Sequence, residues 1–131
     1  MKKLLFALVA VFAATLVLTG CSGSSSAIST VDASTWMKDA SQPGVTVIDV
    51  RTPDEFAAAH VEGAVNMNVE GPDFQAQIAT LDKNGTVAVY CHSGRRSQMA
   101  ADQMASAGFT KIVNLKGGIA DLANAGASIV Q

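Results

Sequence analysis

One stretch of the chain combines a nucleophile, a glycine and two cations: Cys91-His92-Ser93-Gly94-Arg95-Arg96-Ser97. The β-branched run Thr86-Val87-Ala88-Val89-Tyr90 precedes it and a helical pattern from Arg96 to Ala107 follows. The stretch is therefore expected to turn from a buried strand into a helix N-terminus. Backbone N–H groups in such a turn point inward and form an anion nest, reinforced by the helix dipole. A thiol at the floor of that nest has a depressed pKa and is largely thiolate at neutral pH. It then needs no separate general base, and the same amides stabilise an oxyanion or a persulfide anion on the substrate side. This chemistry asks for no cofactor and no metal.

The other polar residues divide by role. His92 is expected to be a loop side chain whose backbone does the binding, and Arg95 to sit at the exposed rim, where it steers anions. Arg96 either contacts substrate or locks the loop through hydrogen bonds to backbone carbonyls. Asp49 and Arg51, at a strand end on the pocket side, are expected to form a buried ion pair that holds neighbouring loops. His60 is read as a brace for a helix-to-strand turn, since no second His or Cys stands at metal-ligand spacing. Trp36, Met37, Met67, Met99 and Met104 are assigned to the core, and the acidic side chains mostly to solvated surface.

The elements that must position these residues are visible in the patterning. Val45 to Val50 and Thr86 to Tyr90 read as buried strands bounded by glycine, with shorter strands at Ala64 to Asn68 and Lys111 to Leu115. Helical patterns cover Asp32 to Ala40, Pro53 to Ala59, Pro72 to Leu81, Arg96 to Ala107 and Gly118 to Asn124. Strands alternating with helices through short connections define an α/β domain, its parallel sheet covered on both faces. In such sheets a ligand site lies beyond the carboxyl ends of the strands, where Asp49-Val50-Arg51 and Cys91 both fall. With 131 residues, 49% of them hydrophobic, there is room for one domain, and the composition is too apolar for a disordered chain. The net charge of -2 supplies no basic face for nucleic acid. Two cysteines are too few for a disulfide scaffold.

Residues 1–20 stand apart from the domain. Met1-Lys2-Lys3 is a positive start, and the apolar run Leu4 to Leu18 would span only about 22 Å as a helix, short of the ~30 Å hydrocarbon core. That favours a cleaved signal peptide. Leu18-Thr19-Gly20-Cys21 resembles a bacterial lipobox, which implies a lipidated Cys21, with residues 21–27 a Ser/Gly-rich tether to a domain at 28–131. Loss of Lys2 and Lys3 leaves 7 basic against 11 acidic residues, a net of -4. Such a domain gains nothing from anionic headgroups, so the lipid alone would hold it at the membrane. The expected location is extracytoplasmic, on a bacterial cell envelope, as a monomer. With Cys21 acylated, Cys91 has no thiol partner and is either buried and inert or kept for its chemistry.

Which anion the nest takes follows from spacing. A Cys-x5-Arg loop cradles phosphate in tyrosine phosphatases, but here that position is Ser97, and Arg96 gives Cys-x4-Arg. The shorter loop draws a tighter ring around the sulfur, which disfavours phosphoryl transfer. Four segments instead resemble, in order, a single-domain rhodanese: Ile48 to Phe56 with His60 to Asn66, the loop Val89 to Ser97, Ala105 to Phe109, and Leu115 to Ile119. The resemblance spans about Ile28 to Gln131. It implies a mostly parallel sheet of about five strands flanked by helices, and a sulfurtransferase. Cys91 would take sulfane sulfur from thiosulfate or a similar anion as a persulfide and pass it to cyanide or a thiol. His92, Ser93, Gly94, Arg95 and Arg96 would bind the sulfur through their amides, and the two guanidiniums would attract thiosulfate. Three positions depart from the family: Leu122 replaces the usual Trp, Ser128 a frequent Pro, and Ala59 the usual Gly before His60. These are packing and turn positions that bear on local stability and pocket shape. A non-catalytic anion- or thiol-binding or redox-sensing module, using the same nest, is the alternative reading.

Overall fold

The computed structural model describes residues 26–131. The expected signal peptide, Cys21 and the tether as far as Ser25 lie outside the described residues. The elements run β1 (Ile28–Val31), α1 (Ala33–Ala40), β2 (Thr46–Asp49), α2 (Pro53–Ala58), β3 (His60–Val61), β4 (Val65–Asn66), α3 (Phe74–Ile78), β5 (Thr86–Tyr90), α4 (Arg95–Ser106), β6 (Lys111–Leu115), α5 (Ile119–Asn124) and β7 (Ile129–Val130). Five strands pair in the order β1-β6-β5-β2-β4, every neighbouring pair parallel. β3 and β7 form a separate two-stranded antiparallel ribbon.

The strong β-branched runs take the middle of the sheet, because only residues buried on both faces belong there. Successive side chains of β5 point to opposite faces. Val87, Val89 and the following Cys91 pack beneath α3 and α4 with Ile48, Val50, Phe74, Met104 and Phe109. Ala88 and Tyr90 pack beneath α1 and α5 with Trp36, Leu115 and Leu122. Burying each large apolar side chain contributes about 1.5–3 kcal/mol before entropy is counted. The alternation also puts Cys91 and Tyr90, adjacent in sequence, on different sides of the sheet.

Local chemistry sets the helix starts. Asp32 caps α1 by accepting from the Thr35 N–H at 2.8 Å. Thr52 and Glu55 form a capping box on α2, with Pro53 in its first turn. α4 buries Ser97, Ala100, Ala101 and Met104, a stripe at helical spacing. Met99 falls off that stripe and is 37% exposed, so its assignment to the core is corrected. The fifth strand of the sheet is β1, which the patterning does not reveal. α3 is shorter than the expected Pro72 to Leu81, and β4 shorter than Ala64 to Asn68. Leu122 is fully buried beside Trp36 and Tyr90. Ala59 has φ -169° and ψ 139°, extended backbone that needs no glycine.

Candidate functional site

Cys91 leaves the end of β5 with no exposed surface. The chain then turns back on itself at Gly94, whose φ of +103° is the left-handed conformation that glycine adopts without strain. That turn aims the Gly94 N–H at the Cys91 Sγ, 3.0 Å away. A side chain at Gly94 would also meet the Gly117 carbonyl at 3.2 Å. One turn into α4, the Ser97 hydroxyl donates to the Gly94 carbonyl at 3.2 Å and lies within reach of Sγ. Burial pushes the Cys91 thiol up. The Ser97 hydroxyl and amide, with the amides of Gly94 and Ser93, favour the thiolate, and together they outweigh burial and hold the thiol below its ordinary pKa.

A second turn backs the first. Between β6 and α5, the Ile119 N–H donates to the Cys91 carbonyl at 3.0 Å. A Cβ on Gly118 would overlap the His92 carbonyl, so no side chain fits there. Asp121 fixes this turn by accepting from the Gly118 N–H at 2.8 Å. The Leu115 to Ile119 segment therefore matters to the site because it lets two backbones touch.

Arg96 is held differently from the sequence expectation. Among the described residues it donates to no backbone carbonyl; its two terminal nitrogens reach the two carboxylate oxygens of Glu55 at 2.7 and 2.9 Å, a bidentate pair. Glu55 was read as solvated surface, yet it joins the first turn of α2 to the first turn of α4. Its Oε2 also accepts from the Thr52 N–H at 3.1 Å and the Thr52 hydroxyl at 2.9 Å. The Arg96 hydrogen bonds, against a burial penalty and with help from Thr52, bring the Glu55 pKa down to about 2. Glu55, mainly, raises the Arg96 pKa in return. The sequence signal for this residue was Thr52-x-x-Glu55, a capping box. Arg95 sits on the rim, its side chain 74% exposed and 3.5 Å from the less exposed Glu70 carboxylate. His92 and Ser93 are exposed loop residues.

Asp49 and Arg51 form the buried network expected of them, away from the Cys91 side. Arg51 donates from Nε and a terminal nitrogen to Asp49, the closest contact being 2.6 Å, and also to the Ala59 carbonyl. The Tyr90 hydroxyl donates to Asp49 at 2.7 Å and accepts from the Val61 N–H at 3.0 Å. Burial first, then the Asp49 hydrogen bond, pushes the Tyr90 phenol far above its ordinary range. The Arg51 guanidinium lies 5.8 Å from the Tyr90 ring centre. No hydrogen bond among the described residues links this network to the Cys91 loop. His60 braces its turn: Nδ1 is 2.8 Å from the Phe56 carbonyl and its ring stacks on Phe56. An apolar cleft of about 210 Å³ between α1 and the β3–β7 ribbon, lined by Trp36, Met37, Val61 and Ser128, does not touch the loop.

Fold and loop together define an α/β domain that presents an activated thiol in a ring of amides at the end of its central strand. Comparison with known proteins places this class more closely. The model of the rhodanese-like domain matches residues 32–125. The thiosulfate sulfurtransferase PspE of Escherichia coli K12 is 40% identical over 76 residues, 58% of this chain and 72% of that protein. The chain spans about half or less of the length of several further curated relatives. A crystal structure of the Alr3790 protein from Anabaena aligns over 76% of this chain and 79% of that one, with a TM-score of 0.69 and 28% identity. A rhodanese from E. coli solved with anions aligns over 66% and 98%, with a TM-score of 0.56 and 34% identity. The chain belongs to the rhodanese-like domain family.

Proposed function

We propose that the protein is a sulfurtransferase that moves sulfane sulfur from thiosulfate or a similar donor to cyanide or a thiol. The observation that carries this reading is the Cys91 Sγ, held below its ordinary pKa by the amides and hydroxyl of its own loop. The thiolate attacks the outer sulfur of thiosulfate; the new bond forms between Sγ and that sulfur, and the electron pair of the old S–S bond leaves with sulfite. The loop amides stabilise the resulting persulfide anion. Cyanide or a thiolate then attacks the terminal sulfur, and the Cys91 thiolate departs as leaving group. One covalent intermediate joins two half-reactions, so the kinetics are ping-pong. Every step is nucleophilic, with no net proton transfer and no cofactor. The names of relatives such as PspE support the choice of donor.

The second part of the proposal concerns location. Leu18-Thr19-Gly20-Cys21 supports lipidation of Cys21 and display of the domain on the outer side of a bacterial membrane. Incorporation of a labelled fatty acid should depend on Cys21; labelling that survives Cys21→Ala would exclude it.

The chemistry is tested by thiocyanate formation from thiosulfate and cyanide. The full-length chain should form it and the Cys91→Ser variant should not. A folded wild type that yields none, or a variant that retains activity, overturns the proposal; the first result would favour an anion- or thiol-binding module.

A further inference from the structure

The Glu55 carboxylate occupies the end-on pair of Arg96 donors, one of the two edges through which a guanidinium takes an oxyanion, the other being Nε–H with a terminal N–H, as Arg51 uses toward Asp49. A guanidinium grips a carboxylate, phosphate or sulfate through two parallel N–H donors. In Arg96 the terminal nitrogens carrying those donors are engaged by the two Glu55 oxygens at 2.7 and 2.9 Å. Glu55 is itself fixed by Thr52 and by its place in the first turn of α2, so it is not a mobile surface carboxylate. The Arg96 side chain is 15% exposed and that of Glu55 33%. Arg95, the other cation of the loop, is three-quarters exposed and paired only loosely with Glu70.

We propose that Glu55 is a specificity-determining positioning residue, which holds Arg96 as a strut between α2 and α4, fills its end-on fork and offsets its charge, so that the guanidinium attracts an incoming oxyanion only weakly. The proposal rests on the reading of the Cys91 loop as the sulfur-accepting site, and it narrows what that site takes. An approaching donor meets backbone amides, the screened charge of Arg95 and an Arg96 whose charge Glu55 already offsets. The loop therefore selects donors by the sulfur atom that enters the amide ring, and holds orthophosphate and sulfate less tightly than it would with Arg96 unpaired. The short spacing from Cys91 to Arg96 and the occupied fork act in the same direction, against phosphoryl chemistry.

The test uses alkylation of Cys91 in the full-length chain, read at the Cys91 peptide by mass spectrometry, with anionic iodoacetate and neutral iodoacetamide as a matched pair. Freeing Arg96 in Glu55→Gln should raise the iodoacetate-to-iodoacetamide rate ratio about tenfold. It should also let inorganic phosphate protect Cys91 from iodoacetamide at concentrations about tenfold lower than in wild type. The double variant Glu55→Gln/Arg96→Gln should return both readouts to within about twofold of wild type, and Glu70→Gln should shift them by no more than about twofold, because that charge is screened by solvent. A ratio that stays fixed in Glu55→Gln while both rates fall would mean a purely structural role and overturn the proposal. So would a double variant that stays as anion-preferring as Glu55→Gln. These readouts need no sulfur transfer, so a negative thiocyanate assay alongside a shifted ratio would defeat the proposed activity and leave the assignment of Glu55 standing.

Discussion

Two arginine–carboxylate pairs lie beyond the strand ends of this domain, and they serve different purposes. Arg51 and Asp49 are withdrawn from water and locked to Tyr90, Val61 and Ala59 on the α1/α5 side of the sheet. Arg96 and Glu55 are partly exposed and stand beside the Cys91 loop on the other side. The sequence offers each as an arginine near a strand end, with an acid close in the chain only for Arg51. Burial and partner count separate them: the first pair has its hydrogen bonds consumed by structure, while the second sits beside amides aimed at a thiol. A strand-end arginine is therefore informative about chemistry only once its partner is known.

That contrast can be broken first at the nucleophile. Cys91→Ser is close to isosteric and should lower thiocyanate formation by at least about 10⁴-fold while leaving the melting temperature near that of wild type. Asp49→Ala should do the reverse. It leaves Arg51 buried without its counter-charge and should cost about 3–5 kcal/mol in urea unfolding, with the Cys91 alkylation rate per folded molecule unchanged. A large drop in that rate would show that the two regions are coupled after all. Tyr90→Phe strips one donor from Asp49 and the acceptor from the Val61 N–H, and should cost about 1–3 kcal/mol.

Smaller effects sharpen the other half of the comparison. Ser97→Ala removes the hydroxyl that most favours the Cys91 thiolate, so the alkylation midpoint should move to higher pH and the rate at pH 7 fall several-fold, with stability changed by less than about 1 kcal/mol. Glu55 gives the smallest effect. Its pKa is lowered from 4.5 to about 2, so its charged form stabilises the native state above pH 4.5, and this contribution is lost as pH falls towards 2. Partial exposure limits it to at most about 1 kcal/mol. The urea midpoints of wild type and Glu55→Gln should differ by a constant amount above pH 5 and converge below pH 3.

The central strands, all five helices and the Cys91 loop were legible because each carries a local signal: a β-branched run, a cap, or a glycine after a nucleophile. β1 was not, since Ile28-Ser29-Thr30-Val31 is only four residues and is defined by pairing with β6, a contact between distant parts of the chain. The β3–β7 ribbon was hidden for the same reason, with two residues per strand. Glu55 was missed although its capping box was readable, because the cap says nothing about Arg96 forty-one residues later. Gly118 reads in the sequence as the start of a helical pattern, but that its missing side chain lets the His92 backbone approach emerges only from packing. Met99 is assigned wrongly because it lies off the stripe of Ser97, Ala100, Ala101 and Met104 that α4 buries, so its apolar side chain faces outward.

The account turns on whether Cys91 itself carries the transferred sulfur, and the intact mass of the full-length chain after brief exposure to thiosulfate measures this directly. One added sulfur atom is predicted on the wild type, removed by cyanide and never gained by Cys91→Ser. A folded wild type that gains no sulfur, or a Cys91→Ser variant that gains it equally, would contradict it.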